Sequence, residues 1–153
     1  MPNDQVKFLV CVNGTKNSEI ALRVACKKAK HAGASLKMLQ AIDIDQQTFL
    51  SVTDTVRQEK RAEAENMMQE YLRKAHEWAN ISIGYKIEEG LAAEVITKAV
   101  EQDNSIGMII LGAPTKASDS IIPALLAKLD ICLMVPLMIV PGTLTDQQIL
   151  EIE

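Results

Sequence analysis

The chain has 153 residues, of which 48% are hydrophobic and 24% charged, a balance typical of one globular domain. Its formal net charge is −4 with no basic block, which argues against nucleic-acid binding. No apolar run approaches the ~20 residues of a membrane-spanning helix, and no secretion signal pattern is present, so we expect a cytoplasmic protein. The three cysteines, Cys11, Cys26 and Cys132, lie in separate apolar stretches, which favours buried reduced thiols over a metal site or disulfide.

The chain opens with a strand-then-helix pattern. A near-continuous apolar run predicts the first strand at Val6 to Val12. Asn13-Gly14-Thr15 breaks this run, and apolar residues at helical spacing follow. Gly33 suits the end of that helix. Three residues could cap its start: Thr15, Asn17 and Ser18.

A second strand and a long helix come next. Ser35 to Asp43 reads as the strand, and Thr48 to Thr55 is a connector of unassigned shape. An amphipathic pattern then predicts a helix over Val56 to Ala79. Its apolar stripe comprises Ala64, Met67, Met68, Tyr71, Leu72, Ala75, Trp78 and Ala79. The methionines in it are better explained as core residues than as a binding surface.

The third strand has a distinctive alternation. From Ile81 to Glu88, apolar residues alternate strictly with polar ones and glycine. A parallel strand buried on both faces would be apolar throughout. We therefore expect this strand to lie at an edge of the sheet.

The rest of the chain continues the alternation of helices and strands. The predicted elements are a helix with the stripe Leu91, Ala92, Val95, Ile96, Ala99 and Val100, a strand at Ile106 to Leu111 ending at Gly112, a polar loop at Ala113 to Ser118, a helix at Asp119 to Leu129, and a strand at Leu133 to Val140. The tail from Thr143 to Glu153 is acidic, and we expect it to be frayed.

This order predicts an α/β fold with a doubly wound five-stranded parallel sheet and helices on both faces. We expect a single domain over residues 1–143 and an acidic C-terminal tail over 144–153. Ligands of such folds bind at the carboxyl ends of the strands. The loops there lack a dinucleotide fingerprint, because Asn13 to Ser18 contains only one glycine, and the chain has no P-loop or Cys-x-x-Cys pair.

Three segments resemble the universal stress protein family. KFLVCVNGTKNSEIALRVACKKAKHAGASLKMLQAID is similar to that family's first strand, turn, helix and second strand. EEGLAAEVITKAVEQDNSIGMIILGA and the final VPLMIVPG are similar to its later blocks. The resemblance implies an adenine nucleotide alpha hydrolase-like fold with strand order 3-2-1-4-5, strands three and five being the edges.

The loop after strand four departs from the family pattern. Nucleotide-binding members carry Gly-x-x-Gly-x9-Gly-Ser/Thr; Gly112 matches the first glycine, and Thr115 replaces the second. Counting forward from Gly112 places Leu125-Leu126 at the Gly-Ser position, whereas counting back from Pro136 places Pro123-Ala124 there. Neither register restores the motif.

These departures weaken a phosphate site for physical reasons. Glycines let backbone N–H groups approach a phosphate closely, and proline has no N–H to donate. The aspartate of the family's first turn is Asn13 here, a weaker acceptor for a nucleotide. If the altered site functions, the resemblance assigns its residues as Val12, Asn13, Thr15, Ile42, Gly112, Ala113 and Thr115.

Several of these residues have simpler alternative roles. Gly112 is explained by a turn, and Asn13 and Thr15 by turn shaping and helix capping. The segment after strand four also contains three polar residues, Lys116, Ser118 and Ser120. They are compatible with anion binding, but a solvated loop is favoured.

No catalytic or metal constellation is evident in the sequence. His31 and His76 lie far apart on predicted helices without a partner nucleophile. Asp43 and Asp45 follow strand two, but two aspartates alone do not make a metal site. We expect no catalytic residue and no metal.

Two functional hypotheses remain, and a small hydrolase is disfavoured. The first is a non-enzymatic stress or regulatory protein with weak or no ATP binding and no cofactor. The alternative is an ATP- or AMP-binding module that uses an altered loop.

We also expect a homodimer through Leu133 to Val140, as the resemblance implies, with no nucleic-acid or membrane partner and no protein partner specified. Ile131 to Pro141 contains no charged residue, so an exposed edge there would need cover. The competing possibility is a monomer in which the tail covers the edge with Ile149, Leu150 and Ile152.

Overall fold

The computed structural model describes residues 6–42, 54–114, 116, 121–129 and 134–152. Within these ranges, five strands alternate with five helices. In chain order the elements are β1 (Lys7–Cys11), α1 (Lys16–Ala32), β2 (Ser35–Ile42), α2 (Asp54–Trp78), β3 (Ile83–Glu89), α3 (Ala92–Gln102), β4 (Ile106–Gly112), α4 (Ile122–Leu129), β5 (Leu137–Val140) and α5 (Asp146–Glu151). None of these helices is long and apolar enough to cross a membrane.

The strands form one parallel sheet in the order β3-β2-β1-β4-β5. In the centre, Leu9 of β1 is in register with Lys37 of β2 on one side and with Ile109 of β4 on the other. The predicted doubly wound sheet and its strand order are confirmed. β3 and β5 are the two edges, also as predicted.

Two hydrophobic cores cover the two faces of the sheet. The first core joins one face to α1, α2 and α5, and Leu22, Met68 and Ile149 contribute to it from these helices. The second core joins the other face to α3 and α4, through residues such as Ile96 and Leu125. Because both faces are covered, the central strands are apolar on both sides, which explains their continuous apolar runs.

The edge strand β3 owes its alternating sequence to one uncovered face. Ile83, Tyr85 and Ile87 pack against the first core. Gly84 and Lys86 point to the opposite face, where Gly84 is exposed and Lys86 is partly exposed. The half-polar pattern therefore identified the edge for the expected reason.

The first helix is bounded by the expected capping residues. Thr15 is the N-cap of α1, and its side-chain oxygen accepts a hydrogen bond from the Ser18 N–H. Gly33 ends the helix with φ +70°, a left-handed conformation that glycine adopts at little cost.

Several element boundaries differ from the sequence predictions; β3, for example, begins at Ile83 and not at Ile81. α2 begins at Asp54, two residues before the predicted start at Val56, and the other connector residues lie outside the described ranges. α4 begins at Ile122, whereas the predicted start at Asp119 is not described. β5 begins at Leu137, because Pro136 cannot donate to the ladder and supplies only its carbonyl, to the Ile109 N–H at 2.9 Å.

The expectation of a frayed tail is wrong. Residues Asp146–Glu151 form α5, which begins with a capping box in which Thr145 and Gln148 satisfy each other's backbone N–H groups. Ile149 is only 2% exposed in the first core. Lys27 of α1 donates to the Ile149 carbonyl at 3.0 Å, so the tail is anchored to the domain.

Candidate ligand-binding site

A cavity of about 180 Å³ opens at the carboxyl ends of β1 and β4. It lies on the second-core side of the sheet, beneath the loop that joins β1 to α1. Its lining is mainly apolar and includes Cys11, Val12, Leu39, Ala41, Ala92, Ile96, Leu111, Ala113, Pro114, Ile121 and Ile122; the polar members are Asn13, Thr15 and Ser18. The location is the crevice in which ligands bind in doubly wound folds.

The β1–α1 loop uses its polar groups internally. The Asn13 side-chain oxygen accepts from the Thr15 N–H at 3.1 Å and from the Thr15 hydroxyl at 2.6 Å. The Ser18 hydroxyl accepts from the Asn13 N–H at 3.2 Å and donates to the Thr15 carbonyl at 3.0 Å. Asn13 and Thr15 therefore shape the turn and cap α1, although both also line the cavity.

Gly112 is required by close packing against α1. A Cβ atom added at Gly112 would lie 2.5 Å from the backbone oxygen of Asn17, a separation that real Cβ atoms essentially never show. The Asn17 side-chain N–H donates to the Ala113 carbonyl at 2.7 Å. A Cβ at Gly142 would likewise collide with the Asn17 side chain. Asn17 thus fixes the loops after β4 and β5 to the first turn of α1.

The cavity carries no charge on the described residues that line it. Burial raises the pKa of the Cys11 thiol to about 12, so the thiol is protonated at neutral pH and is a poor nucleophile. Cys26 is buried in the first core, where burial also raises its pKa to about 12. Cys132 lies outside the described residues.

The structure brings together five of the seven residues assigned from the sequence. Val12, Asn13, Thr15, Gly112 and Ala113 line the cavity.

The other two assigned residues are Ile42 and Thr115. The Ile42 side chain does not line the cavity, because it points to the opposite face and is 8% exposed in the first core. Ala41 lines the cavity instead, since consecutive strand residues point to opposite faces. Thr115 falls outside the described residues.

The substituted Gly-Ser positions also have structural explanations. In one register, Leu125 is fully buried in the second core and Leu126 is 52% exposed. In the other register, Pro123 and Ala124 are exposed in the first turn of α4. Pro123 removes one backbone donor from that helix start.

The remaining sequence candidates do not form a site. His31 and His76 are exposed on α1 and α2, away from the cavity lining. Lys116 is exposed, whereas Ser118, Ser120, Asp43 and Asp45 lie outside the described ranges. Over the described part of the chain, no group of three histidine, cysteine, aspartate or glutamate side chains is placed to hold a metal ion.

Sequence reasoning missed Asn17 as the residue that organises the site. The sequence offered it only as one of three possible caps, because the residues it contacts, Gly112, Ala113 and Gly142, are distant from it in the sequence. The apolar wall from Ala92, Ile96 and Ile121 was also missed, since these residues fit an ordinary helix stripe equally well.

Comparisons with known proteins bear on the family and the fold of the chain. The universal stress protein family model matches residues 6–119. The universal stress protein UspA from Lactobacillus plantarum has a similar structure, with TM-score 0.73, 17% identity, and coverage of 88% of this chain and 97% of that chain. No curated protein matches the sequence significantly.

Two further similar structures contain nucleotides. A universal stress protein in complex with cAMP has TM-score 0.65 and 14% identity, and the match covers 91% of this chain and 98% of that chain. A universal stress protein family protein from Arabidopsis thaliana with AMP bound has TM-score 0.63 and 17% identity, with coverage of 92% and 97%. At these identities the likeness establishes the fold.

Proposed function

The chain belongs to the universal stress protein family, and from that premise we propose that it is a non-enzymatic, cytoplasmic regulatory protein that binds ATP weakly or not at all. The observation that carries the proposal is that no charged side chain is present among the described residues that line the cavity, at the edge where ligands of doubly wound folds bind. Triphosphates need cations or several free N–H donors to replace their hydration.

The geometry of the loops supports weak phosphate binding. Asn13 already accepts two hydrogen bonds from Thr15, so its oxygen has less capacity for a ligand. Gly112 is explained by its contact with Asn17 rather than by phosphate approach. At the start of α4, Pro123 removes a donor. Substituting Thr115 by glycine alone should therefore leave ATP binding weak, because the helix-start contacts are still missing.

The alternative is a module that binds a nucleotide mainly through its base. The apolar walls Leu39, Ala41 and Ile96 favour this function, because a flat aromatic base can bury its faces against aliphatic side chains. The cAMP and AMP found in two relatives are ligands of the same chemical class. In this case AMP would bind more tightly than ATP, because the described residues that line the cavity carry no charge to pair with the additional phosphates of ATP.

Nucleotide carry-over tests the two alternatives. The native protein is purified without added nucleotide, denatured, and its released small molecules are separated and quantified by absorbance at about 260 nm. We expect less than about a tenth of a nucleotide per chain, because a ligand with millimolar affinity is lost during purification. Stoichiometric AMP or cAMP would contradict the main proposal and support the alternative.

A cavity-filling variant locates any binding that is found. Ala92→Leu adds bulk at the cavity wall, whereas Ala62→Leu adds the same bulk at an exposed position on α2. If AMP binds in the cavity, only Ala92→Leu abolishes the binding. Equal affinity in both variants would place the nucleotide elsewhere.

We also propose that two copies of the chain pair through β5. The supporting observation is the apolar surface that remains beside this edge while α5 is in place: Met134 is 83% exposed and Ile139 is 42% exposed. α5 packs against α1, where Arg23 pairs with Asp146 at 2.7 Å, so the tail leaves these side chains uncovered. An uncovered apolar edge strand favours self-pairing.

Light scattering tests the dimer. We expect twice the monomer mass at micromolar concentration, and Ile139→Lys should give a monomer or an insoluble protein. Val56→Lys is the matched control, because Val56 is 37% exposed on α2, beside the opposite edge of the sheet. A wild-type protein with monomeric mass would refute the proposal.

A further inference from the structure

A second groove lies between α1, the end of α2 and α5, and it shares no lining residue with the cavity at the ends of β1 and β4. α1 contributes Arg23, Lys27 and Lys30 to its lining, α2 contributes Trp78, and α5 contributes Leu150. Its volume is about 730 Å³. Clefts of roughly 300–1,000 Å³ are typical of ligand-binding sites, so the groove is large enough to be one.

The three cations that α1 contributes form one row. Arg23, Lys27 and Lys30 are spaced four and three residues apart, so they lie on the same side of the helix. Glu19, the one acidic residue of α1, precedes them and pairs with Lys74 of α2. The half of α1 that lines the groove therefore carries cations without an acidic residue between them.

The carboxylates close to the groove are engaged with arginines. Asp146 of α5 pairs with Arg23 at 2.7 Å. Glu77, the one acidic residue among the described residues that line the groove, pairs with Arg73 of α2 at 2.7 Å. Neither carboxylate is therefore paired with a lysine of the groove.

The two lysines keep positive charge that no described carboxylate offsets by direct contact. Lys27 donates to the backbone carbonyl of Ile149 at 3.0 Å, and neither Lys27 nor Lys30 forms a salt bridge within the described ranges. The chain as a whole has a formal charge of −4. The groove is therefore a local positive region on an acidic protein.

Apolar side chains lie beside these lysines. Leu150 is 62% exposed, although its neighbour Ile149 is buried. Trp78 is partly exposed, and the guanidinium carbon of Arg23 lies 5.8 Å from the centroid of its ring, a cation–π distance. Tryptophan and arginine are enriched among the residues that contribute most to protein interfaces. The groove thus combines apolar contact area with cations.

We propose that this groove binds a short acidic segment of a partner protein. Carboxylates of the segment pair with Lys27 and Lys30, and one aromatic or aliphatic side chain packs against Trp78 and Leu150. Charge complementarity supports this occupant, and the apolar contact supplies the affinity that exposed ion pairs alone do not. A nucleic acid is disfavoured, because a long polyanion would also approach the acidic remainder of the chain. The inference does not depend on whether the cavity binds a nucleotide.

The fluorescence of Trp78, the chain's single tryptophan, tests the proposal. The native protein is titrated with a short blocked peptide in which glutamates flank one phenylalanine. We expect a saturable change in emission with a dissociation constant below about 1 mM. The same peptide with glutamine in place of every glutamate should bind about tenfold more weakly, because the ion pairs are lost. No saturable change, or equal affinity for the two peptides, would overturn the proposal.

A matched pair of variants locates the binding. Lys30→Glu reverses one charge of the groove, whereas Lys98→Glu makes the same change at an exposed position on α3, which covers the other face of the sheet. Lys30→Glu should weaken binding of the glutamate peptide by about tenfold, and Lys98→Glu by less than about twofold. Equal losses would show that binding follows net charge and would overturn the assignment to the groove. Displacement of the peptide by an equal concentration of oligothymidylate would overturn it in favour of a nucleic-acid surface.

Discussion

Substituting Gly112 by alanine places a methyl group against the first turn of α1. The new Cβ would lie 2.5 Å from the Asn17 oxygen and 2.7 Å from its carbonyl carbon. Both atoms are backbone, so relief requires α1 to move relative to the end of β4. Overpacking of this kind costs roughly 1–3 kcal/mol, and loss of glycine entropy in the unfolded chain offsets about 0.5–1 kcal/mol of it.

Gly84→Ala is the matched control for this substitution. Both glycines lie in strands, but the added Cβ at Gly84 meets nothing within 4 Å. The difference between the two variants isolates the steric cost, about 2 kcal/mol or roughly 4–8 °C in melting temperature. Urea denaturation followed by circular dichroism measures it. If Gly112→Ala were as stable as Gly84→Ala, close packing would not be the reason for Gly112.

Two other perturbations probe the tail and the base of the sheet. Ile149→Ala should lower the free energy of unfolding by about 2–4 kcal/mol, because Ile149 is buried. Leu150→Ala should lower it by less than about 0.5 kcal/mol, because Leu150 is 62% exposed. Equal losses for the two variants in urea denaturation would refute a docked tail. The hydrogen bond from Lys7, and to a lesser extent the hydrogen bonds from Ser105, hold the pKa of Asp103 below its usual value of 3.8. The stabilisation that Asp103 provides is therefore present above pH 3.8 and is lost as the pH falls further. Asp103→Asn should therefore be less stable than wild type at pH 7, and a deficit undiminished at about pH 2 would contradict the linkage.

The fold was predictable because its local and global signals agree. Apolar runs such as Val6 to Val12 marked buried parallel strands, and the half-polar run from Ile81 to Glu88 marked the edge. The tail was also readable in principle, since Thr145 and Gln148 have capping-box spacing. The acidic composition of the tail points the other way, but the capping box and the burial of Ile149 hold the tail in place.

The site was less predictable because its geometry depends on distant contacts. Ala41 and Ile42 are both apolar, so the sequence could not decide which of them lines the cavity. The packing role of Gly112 depends on Asn17, which reaches the same place only after the sheet has formed. A glycine required by a helix contact and one required by a phosphate look identical in a sequence.

Calorimetric titration of the native protein with ATP tests the central claim most directly. The described residues that line the cavity carry no charge, the Asn13 oxygen already accepts two hydrogen bonds, and a proline lies at the start of α4. Together these features predict a dissociation constant no tighter than about 1 mM, roughly −4 kcal/mol. The Ala92→Leu variant, measured in parallel, distinguishes any weak heat of binding in the cavity from binding at the surface. Micromolar affinity for ATP that Ala92→Leu abolishes would contradict the account.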